Sequence, residues 1–343
     1  MFPILCALGV NAVQITIKAA TNSAVSILAQ DLHWSASAPL AGPVDYDGHH
    51  YYSLKDPSFV RVKNRWHVFC TVRGQNQWEI EYLTFTNWNH VAQGERHILG
   101  LSQGNYCAPT VFYFIPQKTW YLLYQYAGES QKNRSRWPVV STNGDIGDWQ
   151  HWSKPDALYG RPGEWVPNWI DFWIICDEHK AYLFFTCDNG TLWRAETPLN
   201  DFPHGWSQPV LALKGPIFEA GHIYAVKGTD HYVLMIEDIG PGGERYFKSY
   251  MTERLDGQWR PVAATWEKPF ASKMNVSQPD GHWTDSISHG ELFRAGVDEK
   301  MEIESAGVRV LFQGVADKDM RGKPYGVIPW RLGILTPQDP LNN

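Results

Sequence analysis

The sequence predicts an all-β protein built as a single-domain, five-bladed β-propeller. From about Asp45 onward, short apolar runs alternate with turns rich in Gly, Pro, Asn and Asp, and no helical periodicity lasts beyond a turn or two. The runs fall into five groups of about four, spaced roughly 40–60 residues apart, which is typical of propeller blades. Each of the first four groups has a Trp near a turn by its last strand: Trp88, Trp152, Trp206 and Trp259.

The strands of the five predicted blades follow one another in chain order. Blade one has Ser58–Val62, Trp66–Val72 and Glu79–Thr86. Blade two has Thr110–Ile115, Trp120–Gln125, Pro138–Ser141 and the region of Trp149–Trp152. Blade three has Ile170–Cys176, Ala181–Cys187, Leu192–Thr197 and Gln208–Leu213. Blade four has Ile217–Val226, Tyr232–Glu237, Arg245–Thr252 and Trp259–Ala264. Blade five has Ser286–Ala295, Met301–Ile303, Val308–Gln313 and Trp330–Leu335.

The first thirty residues differ from the rest of the chain. Phe2–Ile17 is mostly apolar, and the small residues of 18–24 are suited to a cleavage site, although no Lys or Arg precedes the apolar stretch. Sixteen residues are too few to span a membrane. We interpret residues 1–30 as a signal peptide, with a disordered leader as the alternative, and residues 31–338 as the propeller domain. This interpretation predicts a secreted or periplasmic protein.

Composition excludes some classes of partner. The net charge is −6 and Lys and Arg do not cluster, so a nucleic-acid surface is not expected. We also expect no membrane partner, and a monomer. Aromatic residues make up 14% of the chain, with 17 Trp and 16 Tyr. Such rings suit the faces of sugars, although Trp can equally mark many short strands.

The cysteines after the leader do not indicate a metal site. Cys70, Cys107, Cys176 and Cys187 lie in or beside apolar strands, without the C-x-x-C spacing of a zinc site. We expect them to be buried free thiols, since free Cys behaves as a small hydrophobe.

Three acidic residues lie in strand-like surroundings at the start of blades one, three and four. Asp56 precedes Pro57, which predicts extended geometry at the first residues of a strand. Asp171 and Glu219 lie in the apolar runs Trp169–Cys176 and Ile217–Ala220. Because the innermost strand of every blade lines the axis, we expect the three acids to converge there. The corresponding place in blade five would bring His289 near the axis. Each acid alone could instead be a buried structural partner of an amide or an Arg.

Several ordered segments together resemble glycoside hydrolase family 62, over roughly Leu32 to Thr336. They are Lys55-Asp56-Pro57-Ser58, Trp66–Phe69, Ala108–Phe114, Trp120–Leu122, Trp169–Asp177, Phe218–Ala220, Ile287–Glu291 and Pro329–Gly333. The resemblance implies an α-L-arabinofuranosidase on a five-bladed propeller that acts on an arabinose-substituted polysaccharide or oligosaccharide. Arabinoxylan is the default substrate.

The resemblance also implies roles for individual residues. Asp56 would be the general base of an inverting hydrolase, Glu219 the general acid, and Asp171 the group that orients the acid and raises its pKa. Lys55 would contact the sugar, although it could equally be a solvated flank of the strand. A metal, usually calcium, would lie at the axis beside His289, which is otherwise a hydrogen-bonded core residue. We also expect Trp169 and Tyr325 to contact the substrate.

Physical chemistry supports these roles independently of the family. Inverting cleavage needs one protonated carboxyl and one carboxylate that activates water on the opposite sugar face, roughly 6.5–9.5 Å away. A third carboxylate raises the pKa of the acid by like-charge repulsion, and burial among Trp169, Phe172 and Trp173 adds desolvation.

The chain departs from the family pattern at three places where we expect the aglycone to bind. They are Tyr325-Gly326, Gly221-His222 and Arg73–Glu79. Two other classes therefore remain open. One is a five-bladed hydrolase of another pentose glycoside, which would keep all three acids. The other is a non-catalytic carbohydrate-binding propeller, which would not need them.

Overall fold

The computed structural model is an array of five β-sheets, and it confirms the predicted five-bladed propeller. It describes residues 32–46, 48–127, 137–159, 168–305 and 307–338. The predicted leader, residues 1–30, lies outside the described residues.

The strands are numbered β1 to β22 in chain order. β1 is Trp34–Ala36. Blade one contains β2 (Tyr51–Val62), β3 (Arg65–Gly74), β4 (Trp78–Phe85) and β5 (Glu95–Ile98). Blade two contains β6 (Tyr106–Phe114), β7 (Thr119–Tyr126), β8 (Trp137–Asn143) and β9 (Asp156–Ala157). Blade three contains β10 (Trp169–Cys176), β11 (Lys180–Cys187), β12 (Thr191–Pro198) and β13 (Val210–Lys214). Blade four is built on β14 (His222–Val226), β15 (Tyr232–Ile239), β16 (Arg245–Thr252) and β17 (Arg260–Ala263).

The remaining strands are β18 (Val276–Ser277), β19 (Ser286–Leu292), β20 (Glu302–Ile303), β21 (Val310–Val315) and β22 (Arg331–Pro337). Short 3₁₀ helices cover Trp88–Gln93, Ile115–Gln117 and Tyr325–Val327, and one α-helical turn, α1, covers Asp317–Met320. In the part of the chain that the structure describes, no helix is long and apolar enough to cross a bilayer.

Blade five closes the ring with a strand from the N-terminal side of the chain, which the sequence pattern did not predict. β1 pairs antiparallel with β22, with Ser35 opposite Thr336, so this blade joins two distant parts of the chain. The predicted blade-five strand at Met301–Ile303 is wrong. The observed β20 instead pairs in parallel with β14 of blade four, with Ala225 opposite Glu302.

Two outer strands also differ from the prediction. The region of Trp149–Trp152 is not a strand, and the fourth strand of blade two is β9. Blade one has a fourth strand, β5, that was not predicted. Both outer strands are short and partly or fully exposed, so they lack the apolar alternation that identifies a strand from sequence.

The recurring Trp residues bind neighbouring blades together. The ring of Trp152, from blade two, lies 5.5 Å from Phe69 of blade one. Trp259, from blade four, lies 6.3 Å from Phe184 of blade three. Trp88, from blade one, lies 5.9 Å from Phe293, which follows the inner strand of blade five. Much of the aromatic content therefore forms the seams between blades.

The inner strands of blades one, two, three and five each contain a β-bulge at the same level. The register shifts lie at Lys55/Ser58, Cys107/Thr110, Ile170/Trp173 and Ser288/Gly290. Asp56, Ala108 and Asp171 have φ values of 50°, 51° and 55° in these bulges. The predicted extended geometry of Asp56 at the start of a strand is therefore wrong. Asp56 lies within β2 in left-handed backbone, since a bulge releases it from the ladder and Pro57 has no N–H to pair.

Each bulged amide is capped by a side chain of the preceding blade. The N–H groups of Asp56, Ala108, Asp171 and His289 donate to Gln313, Thr71, Gln125 and Glu237, at 2.7, 2.7, 3.1 and 2.7 Å. All four acceptors lie on the second strand of their blade. These hydrogen bonds thus satisfy the backbone N–H groups that the bulges remove from the strand ladder, and they hold the strained residues at the axis.

Replacing one cap by an apolar side chain of similar size tests this arrangement. Gln313→Leu leaves the buried Asp56 N–H without its acceptor, so we expect a loss of about 1–3 kcal/mol in the free energy of unfolding. Urea denaturation measures it, with Gln208→Leu at an exposed position as control. An unfolding midpoint equal to that of the control variant would show that the cap contributes nothing.

Candidate active site

A cavity of about 540 Å³ lies where the bulges meet. Its lining includes the three predicted acids, Lys55, His289 and Tyr325. The other lining residues are Arg73, Trp78, Asn105, Cys107, Gln125, Ala127, Asn168, Ile170, Asp188, Phe218 and Arg245. The volume is in the range of small-ligand pockets, so it can take a pentose with part of the group attached to it.

Asp56 is held as a carboxylate by two nitrogen groups. Its Oδ1 lies 3.3 Å from Lys55 Nζ and 3.3 Å from His289 Nδ1. Burial alone would raise the pKa of Asp56, but the charges of Lys55 and His289 and hydrogen bonds from Thr71 and Lys55 hold that pKa below its ordinary value. Asp56 is therefore equipped to accept a proton.

Glu219 has the opposite preference. Burial raises the pKa of Glu219 well above its ordinary value, and the negative charges of Glu237 and Asp171 raise it further, against the opposing charges of Arg245 and Lys55. The sequence predicted that Glu219 lies within a strand, but Glu219 instead precedes β14. A carboxyl that keeps its proton in this way can donate it to a substrate oxygen.

Asp171 lines the same cavity as these two groups and interacts electrostatically with both. Its Oδ2 accepts a 2.9 Å hydrogen bond from the N–H of Ala220, so it fixes the backbone directly after Glu219. Burial raises the pKa of Asp171, and the negative charge of Asp56 contributes to the rise. Asp171 is placed to orient Glu219 and to disfavour its ionisation.

Arg245 and Glu237 complete the site, and sequence reasoning missed both. Arg245 Nη1 lies 3.2 Å from Glu219 Oε1 and 2.5 Å from Glu237 Oε1. The second oxygen of Glu237 accepts 2.7 Å hydrogen bonds from the Ser288 hydroxyl and the His289 N–H. Glu237 thus draws Arg245 partly away from Glu219, while it caps the bulge of blade five. A comparison of the second strands could have indicated it, since Glu237 occupies the capping place of Thr71, Gln125 and Gln313.

One wall of the cavity combines a cation with two aromatic rings. Lys55 Nζ donates a 2.5 Å hydrogen bond to the hydroxyl of Tyr325. The same nitrogen lies 4.6 Å from the ring centre of Tyr325 and 5.2 Å from that of Trp78. Tyr325 is 45% exposed, so this wall extends from the carboxylates to the protein surface. Trp78 was not singled out from the sequence, since it lies in a segment that departs from the family pattern.

Some predicted residues lie elsewhere. Trp169 is not among the residues that line the cavity, and it is buried with its ring against Tyr159, Phe172 and Phe185. Its contact with substrate stays a prediction. The Gly221-His222 segment also lies outside the lining, with His222 stacked on Trp173 at 4.4 Å.

The cysteines follow the prediction in part. Cys70, Cys176 and Cys187 are buried free thiols. Cys107 is instead partly exposed at the cavity wall, where its sulfur accepts a hydrogen bond from Gln125 at 3.2 Å. Within the described ranges, no three His, Cys, Asp or Glu side chains group together as metal ligands.

A propeller whose axial cavity holds one carboxyl with a lowered pKa and one with a raised pKa has the equipment of a glycoside hydrolase. Comparison with known proteins identifies the family. The family model for glycosyl hydrolase family 62 matches residues 33–336, so the chain belongs to this family, as predicted.

Proteins similar to this chain include α-L-arabinofuranosidases. The chain is 37% identical over 324 residues to α-L-arabinofuranosidase C of Cellvibrio japonicus, covering 92% of this chain and 48% of that protein. The chain thus spans about half the length of this curated relative. The catalytic domain of a Coprinopsis cinerea family 62 α-L-arabinofuranosidase superposes with a TM-score of 0.84 at 36% identity, covering 90% and 97% of the two chains. A family 62 hydrolase in complex with xylotriose superposes with a TM-score of 0.82 at 34% identity, covering 89% and 97%.

The charges around Glu219 predict how the pH profile responds to substitution. A protonated Glu219 is lost as pH rises through its pKa, so this group sets the alkaline limb of kcat/KM. Asp171→Asn removes a charge that raises that pKa, and the limb should move to lower pH. Glu237→Gln should move it further, since Glu237 is the stronger of the two neighbours and Arg245 would then pair with Glu219 alone.

The measurement is kcat/KM against pH for each variant that retains activity. Glu253→Gln, in an exposed ion pair with Arg260, is the control and should leave the limb in place. An alkaline limb that stays unchanged in both Asp171→Asn and Glu237→Gln would remove Glu219 as the titrating acid.

Proposed function

We propose that the protein is an inverting α-L-arabinofuranosidase that releases terminal arabinofuranosyl side chains from arabinoxylan or a related hemicellulose. The observation that carries the proposal is the pair of carboxyl groups in one cavity, one with a lowered pKa and one with a raised pKa. Asp56 contacts Lys55, whereas Glu219 contacts Arg245, which it shares with Glu237. A non-catalytic binding propeller has no use for such a pair.

The proposed reaction is a single displacement with two proton transfers. Asp56 accepts a proton from a water molecule while the oxygen of that water attacks the anomeric carbon. Glu219 donates its proton to the glycosidic oxygen as that bond breaks, so the aglycone leaves as a neutral alcohol. Asp171 holds the Ala220 backbone and disfavours early ionisation of Glu219. Lys55 contacts both Asp56 and Tyr325, a position from which it can bind hydroxyl groups of the sugar.

The choice of polymer rests on the open wall of the cavity and on the relatives. Trp78 and Tyr325 offer ring faces beside Lys55, and the exposed Tyr325 gives a longer chain a way out of the cavity. The relatives bear the name α-L-arabinofuranosidase, and one solved family member holds xylotriose. A xylan backbone with arabinosyl branches fits this combination.

Calcium beside His289 stays a prediction. His289 Nδ1 faces Asp56 Oδ1 at 3.3 Å, and no group of three ligating side chains exists in the described ranges. Because calcium prefers oxygen ligands, these residues alone do not fit a protein-built calcium site, and no step above passes through an ion. Secretion and the monomeric state also stay predictions.

A substrate screen tests the proposal. The purified chain is incubated with arabinoxylan, arabinan and aryl arabinofuranosides, and the released sugar is identified by chromatography. We expect arabinose from arabinoxylan without cleavage of the xylan backbone. Release of a different pentose, or binding of arabinoxylan with no release, would contradict the proposal.

The two carboxyl groups predict different dependence on the leaving group. Asp56→Asn should lower turnover about 10²–10⁴-fold on every substrate, since water then lacks its base. Glu219→Gln should cost as much on arabinoxylan but much less on an aryl glycoside, because a phenolate leaves without protonation. Steady-state kinetics on both substrates measure the difference.

Glu299→Gln is the matched control, because Glu299 is a buried carboxyl that does not line the cavity. Its turnover should stay close to that of the unsubstituted protein. Near-normal rates for Asp56→Asn, or equal losses of Glu219→Gln on both substrates, would contradict the assigned roles.

A further inference from the structure

Arg73 lies on the aromatic wall of the cavity, near the Trp78 ring that Lys55 also contacts. It is near the end of β3 and lines the cavity together with Trp78 and Tyr325. Its guanidinium carbon is 5.4 Å from the ring centre of Trp78, whose backbone N–H is held by Asn105 at 3.0 Å. The guanidinium therefore rests on a ring that is itself fixed, next to the side of the cavity that receives the aglycone.

Arg73 has no acidic partner among the described residues, unlike three other arginines that are mostly buried in the blades. Arg96, Arg245 and Arg294 pair with Glu81, Glu237 and Glu291 at 2.7, 2.5 and 2.5 Å. Nη1 of Arg73 is buried and has no hydrogen-bond partner in the described part of the chain. Burial lowers the pKa of Arg73, which reflects a cation that has lost water without gaining a counter-charge.

Gly326 leaves this guanidinium uncovered. A Cβ at this position would lie 3.2 Å from Arg73 Nε, tighter than an ordinary contact. A larger residue after Tyr325 would therefore press on the guanidinium or displace it. The neighbouring cation cannot substitute for it, since Lys55 is already neutralised by Asp56 at 3.3 Å. Arg73 is thus the cation of this wall that remains available to a ligand.

We propose that Arg73 determines specificity by binding a carboxylate on the aglycone, so that the preferred substrate is an arabinose-substituted glycan that also carries a uronic acid close to the branch. This inference rests on the proposed arabinofuranosidase function. The fork of a guanidinium matches the two oxygens of a carboxylate, and a buried donor regains its hydrogen bond only if the ligand supplies an acceptor. A neutral glycan supplies hydroxyls but no compensating charge.

The test compares two arabinosylated xylo-oligosaccharides that differ only in one uronic acid substituent. We expect the unsubstituted protein to show a kcat/KM about 10-fold or more higher for the acidic oligosaccharide, from a charge-assisted hydrogen bond. Arg73→Gln should abolish the preference mainly through KM, and Arg73→Lys should retain part of it, since charge remains but the fork is lost. Added salt should reduce the preference.

Arg61→Gln is the matched control. Arg61 also lies 5.4 Å from a Trp ring centre, that of Trp66, but it is exposed and does not line the cavity. The ratio of kcat/KM for the acidic oligosaccharide to that for the neutral one should be the same in Arg61→Gln as in the unsubstituted protein. Equal kcat/KM values for the two oligosaccharides in the unsubstituted protein, or an unchanged ratio in Arg73→Gln, would overturn the assignment of Arg73.

Binding separates this proposal from the proposed function. Calorimetry on the Glu219→Gln background measures the affinity for each oligosaccharide without turnover. Tighter binding of the acidic oligosaccharide that disappears on adding Arg73→Gln supports the carboxylate site. That support holds even if the unsubstituted protein releases no arabinose, a result that would overturn only the proposed function. Equal affinities together with normal arabinose release would overturn the carboxylate site alone.

Discussion

The site depends on hydrogen bonds at four junctions between blades: five with one, one with two, two with three, and four with five. A bulge in an inner strand removes an amide from the ladder, and a side chain on the second strand of the preceding blade accepts it. Without these acceptors, the left-handed backbone of Asp56 and Asp171 would combine strain with an unsatisfied buried donor. The same contacts that hold the ring together therefore aim its carboxylates along the axis. β1 completes blade five by pairing with β22, and Gln313 of the same blade caps the Asp56 amide of blade one.

The division of labour between Asp56 and Glu219 follows from what surrounds each group. Both are buried, and burial alone would favour a proton on each. Asp56 has Lys55 and His289 beside it, which outweigh that effect. Glu219 is buried and shares its one arginine with Glu237, and the charges of Glu237 and Asp171 add to the rise of its pKa.

The fold was predictable because strand and turn chemistry repeats along the chain, with blade three matching its predicted strands within a few residues. The convergence of the three acids and His289 was predictable for the same reason, since they recur near the inner strands of blades one, three, four and five, and they line one cavity. Pairings between strands that are distant in sequence leave no local sequence signal. For this reason β1 was missed, and β20 was assigned to the wrong blade. Glu237 was missed because a single buried strand acid carries no signal of its own, and only its match to Thr71, Gln125 and Gln313 on the other second strands marks it as a cap. The strand position of Trp169 does not reveal which face of the sheet its ring takes, so its contact with substrate stays a prediction.

The most direct test of the account is the anomeric configuration of the sugar at the moment of release. If Asp56 activates water on the face opposite the bond that Glu219 protonates, the first product must be inverted, the β anomer from an α-L-arabinofuranoside. Proton NMR in the first minutes of hydrolysis, before mutarotation, distinguishes the two anomers. The account predicts the β anomer first. Initial appearance of the α anomer would show that a carboxylate attacks the sugar directly, and it would remove Asp56 as a general base.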